Sequence, residues 1–457
     1  MSRVVPNKLT AYQPLPIQVS NKNLSVEYAS IIPANAASNS KYAPSEVNRI
    51  LFRVPAFQNS FLDNSRSSLS FTFKPDAKTT APLDSAGNGN ILNYRLGTTS
   101  IFKRLQIKSA NGTVIEDLTD LHLLQKILQT MKPITETRHL EGLIENNTFA
   151  QNAITATNEA TMLLKQLGGQ KFQYFFDIGM LSRKLQAYLP LHSMNGGNQG
   201  HAFTIELWLN DSFNVLKKVG DGTGASVKGY SLTDVKYNMC LLKADASIIS
   251  RFNNLANDNS EILIPFSTYK QYTNGLNAPL STVQVSEACS DLRRVHSVIL
   301  DTANETTPVA TDYAKNMIFY GGYKSDTKLK SYQMQIGSHF IYTEPILSEN
   351  DNNDMLFQLV NSSFSKQNIK ATRTDSAGVP EYEKDAFTMS STFCVEDPNQ
   401  FTNGVSLSSL PLVMRIELTA QPSNRYLTTF SELGFNLSIQ NGYLTVKDSK
   451  DPSDFGY

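Results

Sequence analysis

The order of four short blocks constrains this chain more than any single motif. "RLQIKSANGTVIED", starting at Arg104, has a counterpart in "QMQIGSHFIYTEP", starting at Gln333. "KFQYFF" around Phe172 matches "AFTMSSTF" around Phe387, "TIEL" around Ile205 matches "RIEL" around Ile416, and "VKYNMCLL" around Tyr237 matches "LGFNLSI" around Phe435. The blocks keep one order, and the spacing between partners shrinks steadily along the chain. "LPL" at Leu189 and at Leu410 precedes each "IEL", farther upstream in the first half, where residues 193–200 ("SMNGGNQG") are inserted. Strand-rich sequences resemble one another cheaply, so no single pair decides. The collinear set predicts a duplicated unit. A chain of 457 residues accommodates two such units of about 200 residues each.

Each unit reads as short strands. "ILFRVPAF" and "SSLSFTF" are apolar or alternating runs rich in aromatic and β-branched residues, the types that fit a pleated, half-buried surface. Phe203, Ile205, Leu207 and Leu209 alternate with Thr204, Glu206 and Trp208, a period of two with one buried face. Asn111-Gly112 and Asn441-Gly442 mark hairpins, because both residue types tolerate positive φ. Helical spacing shows in Leu118, Leu121, Leu124, Leu128 and Met131, with Asp117 expected as N-cap and Pro133 as the stop. A second helix is expected over 157–167, closed by Gly168-Gly169. "NDMLFQLVNSSF" occupies the place of the first helix in the second half. Residues 1–45 hold Pro6, Pro14, Pro16, Pro33 and Pro44 and are expected to run as an extended arm.

The fold expectation is all-β: two tandem antiparallel β-sandwiches, jelly-roll-like, with a few short helices. Expected boundaries are an arm at 1–45, a first sandwich at 46–243, a linker at 244–260, a second sandwich at 261–448 and a tail at 449–457.

Composition narrows function. There are 41 basic and 41 acidic residues, so the Lys/Arg excess that neutralises a phosphate backbone is missing. Cys240, Cys289 and Cys394 are odd in number and widely spaced, which makes neither a disulfide framework nor a CxxC pair; all three are expected to be small buried packing residues. The start of the sequence has no long apolar core followed by a cleavage site, so no signal peptide is expected there. N-x-S/T triplets such as Asn111-Gly112-Thr113 are then expected to stay unmodified. None of the six histidines (His122, His139, His192, His201, His296, His339) forms an HxH, HxxxH or HExxH pair, the spacings that bring two rings to one metal. His192 and His201 flank the 193–200 loop and could meet across it. His122 reads as a partly buried packing residue. Gly220, Gly222 and Gly224 alternate, but the run leads into a strand, whereas a dinucleotide fingerprint opens a helix. No catalytic, cofactor or metal residue is assigned, no cofactor is expected, and the chain is not expected to be an enzyme. Trp208 falls on the polar phase of its strand and suits either a subunit contact or a cover under a loop.

Four stretches carry a family resemblance: "VNRILFRVPAFQNSFLDNSRSSLSFTF", "SIFKRLQIKSANGTVIEDL", "YLPL" with "FTIELWLND", and "DVKYNMCLLKAD". Over about residues 46–448 the sequence resembles double jelly-roll major capsid proteins of adenoviruses, tailless membrane-containing phages, virophages and polinton-like viruses. It departs from the pattern in lacking very long tower insertions and a clear amphipathic helix in the arm. The resemblance implies a structural protein whose homotrimers form pseudo-hexameric capsomers of an icosahedral shell, located in the virion after assembly inside a host cell. It implies neighbouring capsomers, penton and minor capsid proteins as partners, an inner membrane or genome within reach of the arm, and no specific nucleic-acid recognition. The loops at 76–90, 193–200, 219–227 and 366–384 would lie on exposed or inter-capsomer surfaces. A two-domain β-sandwich carbohydrate-binding or adhesion protein is the alternative, and a β-sandwich hydrolase a third class.

Overall fold

A computed structural model describes residues 24–36, 40–76, 89–93, 97–133, 145, 156–185, 187–194, 200–219, 229–250, 261–285, 289–301, 328–348, 353–363, 387–394, 404–407, 410–420 and 425–448. The first half contributes β1 (Leu24–Ile31), β2 (Arg49–Pro55), β3 (Ser60–Pro75), β4 (Gly89–Leu92), β5 (Phe102–Ser109), β6 (Val114–Leu118), β7 (Gln170–Tyr174), β8 (Leu189–Pro190), β9 (His201–Leu209), β10 (Leu216–Val219) and β11 (Tyr230–Ala244). The second contributes β12 (Ile262–Leu276), β13 (Leu280–Val285), β14 (Leu292–Asp301), β15 (Leu329–Ile336), β16 (His339–Phe340), β17 (Ile346–Leu347), β18 (Met389–Thr392), β19 (Leu412–Leu418), β20 (Arg425–Gln440) and β21 (Tyr443–Asp448). Helices α1 (Leu121–Thr130) and α2 (Ala156–Leu167) belong to the first half and α3 (Asn353–Ser362) to the second.

Four main sheets result, all antiparallel, beside a β4–β10 ribbon. In the first half the orders are β1-β11-β3-β7 and β2-β9-β5-β6. In the second they are β12-β20-β14-β18 and β13-β19-β15-β16. The two halves therefore follow one winding. Strand β5 takes the place of β15, β9 of β19 and β11 of β20, which is the pairing of the repeated blocks. α1 and α3 both follow the hairpin that leaves β5 or β15.

Local sequence explains most elements. In β9 the apolar phase, Phe203, Ile205, Leu207 and Leu209, is buried. The hairpin glycines do what the turns need: Gly112 has φ 88°, and Asn441 and Gly442 have φ 53° and 81°. α2 ends at Leu167, and Gly169 at φ 90° returns its N–H to the Gln166 carbonyl at 2.9 Å.

Three expectations change. Asp117 does not cap α1. It belongs to β6, and Asp120, at φ 44°, precedes the helix without a side-chain cap. The strand keeps pairing through Leu118, so the helix starts one turn later than its apolar stripe suggests. Residues expected as arm include β1, which pairs along its whole length with β11 (Leu24 opposite Ala244, Ile31 opposite Tyr237). The first sheet thus begins well ahead of residue 46, because backbone pairing does not require a strong alternating pattern in an edge strand. Cys240 and Cys289 are buried, but Cys394 is only half-buried.

One apolar core runs through both halves. The first interior is aromatic: Phe102 meets Tyr174 edge-on at 4.9 Å, Tyr174 meets Phe176 at 5.2 Å, and Phe73 stacks on Tyr230 at 5.5 Å. The second is more polar. Arg294 Nη1 lies 2.8 Å from Glu432 Oε2, the Tyr269 hydroxyl donates to the same oxygen at 3.1 Å, and both charged side chains are about one-twentieth exposed. Burial pushes the Glu432 carboxyl up, but Arg294 and Arg293 pull it below its ordinary value. Such a pair contributes little net stability over apolar packing, yet stranding one partner is costly. Arg294→Met is expected to cost about 3–5 kcal/mol by urea denaturation, and adding Glu432→Leu to recover most of the loss. Equal destabilisation in single and double variants would contradict this.

Candidate functional site: the seam between the two sandwiches

The second sandwich meets the first through strands β12 and β21, which pack against β5, β6, β9 and a 3-10 turn at Gly179–Leu181. Alternation puts Ile262, Ile264, Phe266 and Thr268 on one face of β12, and all four are buried. Thr268 reaches the first sandwich directly: its hydroxyl donates to Glu116 Oε1.

Glu116 is the centre of the seam. It sits in β6 and is 2% exposed. The Met180 backbone N–H donates to its Oε2 at 3.3 Å. Gly179, at φ 71°, leaves the room this carboxyl occupies: a Cβ there would lie 1.8 Å from Oε1. No Lys, Arg or His among the described residues is ion-paired with Glu116. Burial therefore dominates its titration and raises the carboxyl to about 7, with the Thr268 and Met180 hydrogen bonds pulling the other way. Around it the seam is polar. Thr119 Oγ1 donates to Gln271 Oε1 at 2.5 Å, Gln271 Nε2 donates to Asp120 Oδ2 at 2.6 Å, and the Leu444 N–H reaches Ser109 Oγ at 3.3 Å.

The outer face of the β2-β9-β5-β6 sheet carries a charged ladder. Glu206 takes Lys108 at 2.8 Å and Arg49 at 3.5 Å. Asp117 accepts from Arg104 Nε at 2.7 Å and Nη2 at 2.6 Å, and from Gln106 at 2.9 Å. The Arg104 guanidinium lies 4.8 Å from the Trp208 ring centroid, a cation–π geometry. Trp208 is thus half-covered by an arginine of its own sheet.

The histidines stay apart in chemistry. His192 places Nδ1 3.2 Å from the Ser60 carbonyl and its ring 4.9 Å from Phe61, and burial pushes it down to about 4. His201 opens β9 opposite Pro55 in the other sheet. His122 is also pushed down to about 4 by burial. Among the described residues no group of three or more His, Cys, Asp or Glu could hold a metal. Gly220, Gly222 and Gly224 lie outside the described residues, as do residues 77–88, 195–199, 220–227 and 366–384 of the four expected surface loops. Sequence reasoning missed Glu116, Thr268 and the Arg294–Glu432 pair. The "VIED" of β6 was visible, but which of its two acids is buried depends on β12.

No family model and no curated protein matches the sequence. Solved structures do match, at low identity and over nearly the whole chain. The PBCV-1 virus capsid superposes with TM-score 0.55 at 11% identity, covering 94% of this chain and 99% of that one. The Faustovirus major capsid protein gives 0.53 at 11%, covering 91% of each. The Sputnik virophage structure gives 0.52 at 12%, covering 93% of this chain and 89% of that one. The chain has the double jelly-roll fold. Its seam is therefore the place where one jelly roll of the pair closes on the other.

Stability should carry the signature of Glu116. A carboxyl raised above its ordinary value of 4.5 favours the folded state fully below pH 4.5 and loses that contribution as pH climbs through about 7. Glu116→Gln keeps an acceptor for the Met180 N–H and a polar partner for Thr268. Relative to the wild type it is expected to gain on the order of 2–3 kcal/mol between pH 4.5 and 8. Urea midpoints of both proteins across that range measure it, and a pH-independent difference would refute it.

Proposed function

We propose that this protein is the major capsid protein of an icosahedral virus, a structural component of the virion that assembles from copies of itself. The observation that carries the reading is the tandem of two sandwiches with one winding, fused along a buried seam, together with the capsid proteins that share this fold. Two similar units per chain let three chains present six similar faces, a pseudo-hexagonal block generated by a closed threefold assembly. The balanced charge, 41 basic against 41 acidic residues, lets such blocks pack side by side without strong like-charge repulsion. The working division is a first jelly roll opening at β1 and ending with β11, and a second from β12 to β21. An inner membrane or genome, penton and minor capsid proteins are the further partners in this reading.

Sedimentation of the purified full chain is expected to give three times the chain mass, and negative-stain images should show particles with hexagonal outline. A homogeneous monomer at high concentration would sink the proposal.

A further inference from the structure

Among the described residues every sheet draws its strands from one half alone. The two jelly rolls can therefore part at the seam with their backbone ladders intact. Side-chain hydrogen bonds cross that seam, and the acid at their centre differs from four others that the chain buries. Asp63 has Arg66 at 3.6 Å, Glu206 has Lys108 at 2.8 Å, Asp291 has Arg293 at 2.9 Å and Glu432 has Arg294 at 2.8 Å. Glu116 is ion-paired with no cation among the described residues. Its oxygens accept a hydroxyl from the second jelly roll, Thr268, and a backbone N–H from the first, Met180.

Charged groups on the elements around Glu116 are engaged elsewhere or exposed. On β5, Lys103 reaches Asp211 at 3.8 Å, while Arg104 and Lys108 reach Asp117 and Glu206. On β12, the exposed Lys270 lies 5.9 Å from the Phe435 ring, and the Tyr269 hydroxyl goes to Glu432. On β21, Lys447 pairs with Glu261 at 2.5 Å and Asp448 is exposed. Beside the Gly179 turn, Asp177 holds Lys132 at 2.5 Å and Arg183 at 2.7 Å. Asp120, just past β6, takes Gln271 at 2.6 Å. A carboxyl so placed is accommodated only with its proton on. Without it, an unpaired charge lies buried between two jelly rolls, which costs far more than a neutral acid. Opening the seam gives that charge water.

We propose that Glu116 is a proton-operated latch on the seam: protonated, it holds the second jelly roll on the first, and on losing its proton it lets β12 and β21 lift from β6 and the Gly179 turn while each sandwich stays folded. The device lies within one chain and does not depend on assembly. Burial raises the carboxyl from an ordinary 4.5 to about 7. The latch therefore contributes fully below pH 4.5 and is lost as pH climbs through about 7. Within that window, opening becomes up to about tenfold more frequent for each pH unit, and above it levels off. Global unfolding frees the same acid and shares this slope. The latch differs in being a smaller opening, confined to the seam.

Site-resolved hydrogen exchange of the full-length protein between pH 4.5 and 8, corrected for the intrinsic pH dependence of amide exchange and repeated at low urea, tests this. The Met180 N–H, which donates to Glu116, and the Leu444 N–H, which crosses the seam to Ser109 Oγ, report the latch. Amides of the central strands β3 and β14 report the sandwiches. At pH 8 the seam amides are expected to exchange at least about tenfold faster than the sandwich amides, with little urea dependence because a small surface is exposed. Their protection should fall by up to about tenfold per unit as pH rises to 7. Glu116→Gln should abolish that slope at the seam. Thr268→Val removes a hydrogen bond that favours the ionised form, so it should move the upper end of the window above pH 7. Seam amides that share the protection and urea sensitivity of β3 and β14 at every pH would show one cooperative unit and overturn the proposal. A slope that survives in Glu116→Gln, or a window that Thr268→Val leaves in place, would overturn it as well.

Discussion

Thr268 reaching across to Glu116 is a buried polar contact that joins the two like sandwiches. A jelly roll leaves an edge strand, and a 15-residue edge such as β12 exposes unpaired backbone and an apolar face that invite uncontrolled pairing. Here β12 packs on β6 and on the turn at Gly179. The closure is specific because a carboxyl is buried in it: any other placement of β12 would leave Glu116 without its Thr268 donor, and an unsatisfied buried carboxyl is expensive. Glycine at 179 is part of the same arrangement, since positive φ and the missing Cβ both make room for the acid.

The winding of the chain was legible because it is written twice. "LQI" and "MQI" fall on β5 and β15, and the two "IEL" blocks on β9 and β19, so the order of short apolar blocks encoded the order of strands. What failed to read was whatever depends on a distant partner. β1 carries a weak pattern of its own and exists as a strand because β11 pairs with it. Asp117 looked like a helix cap because local spacing cannot show that a strand continues through Leu118. Glu116 and Asp117 are neighbours in sequence, yet one is buried beneath β12 while the other holds Arg104 in the outer ladder. Alternation assigned them to opposite faces; only tertiary packing says that both faces matter.

The two interiors show how far a fold tolerates divergence. The first jelly roll fills its core with edge-to-face aromatic pairs, whose rings interlock over large areas. The second uses a smaller, hydroxyl-rich lining: Ser297 and Thr429 lie 2.9 Å apart beside Met414, and His296 Nδ1 lies 3.0 Å from Ser390 Oγ. Burial and Arg294 hold that histidine down to about 3, so it stays neutral in its niche. Strand order and side-chain phase were retained while the identity of the filling was not. That is the expected hierarchy, since pattern selects a fold and detailed complementarity only refines it.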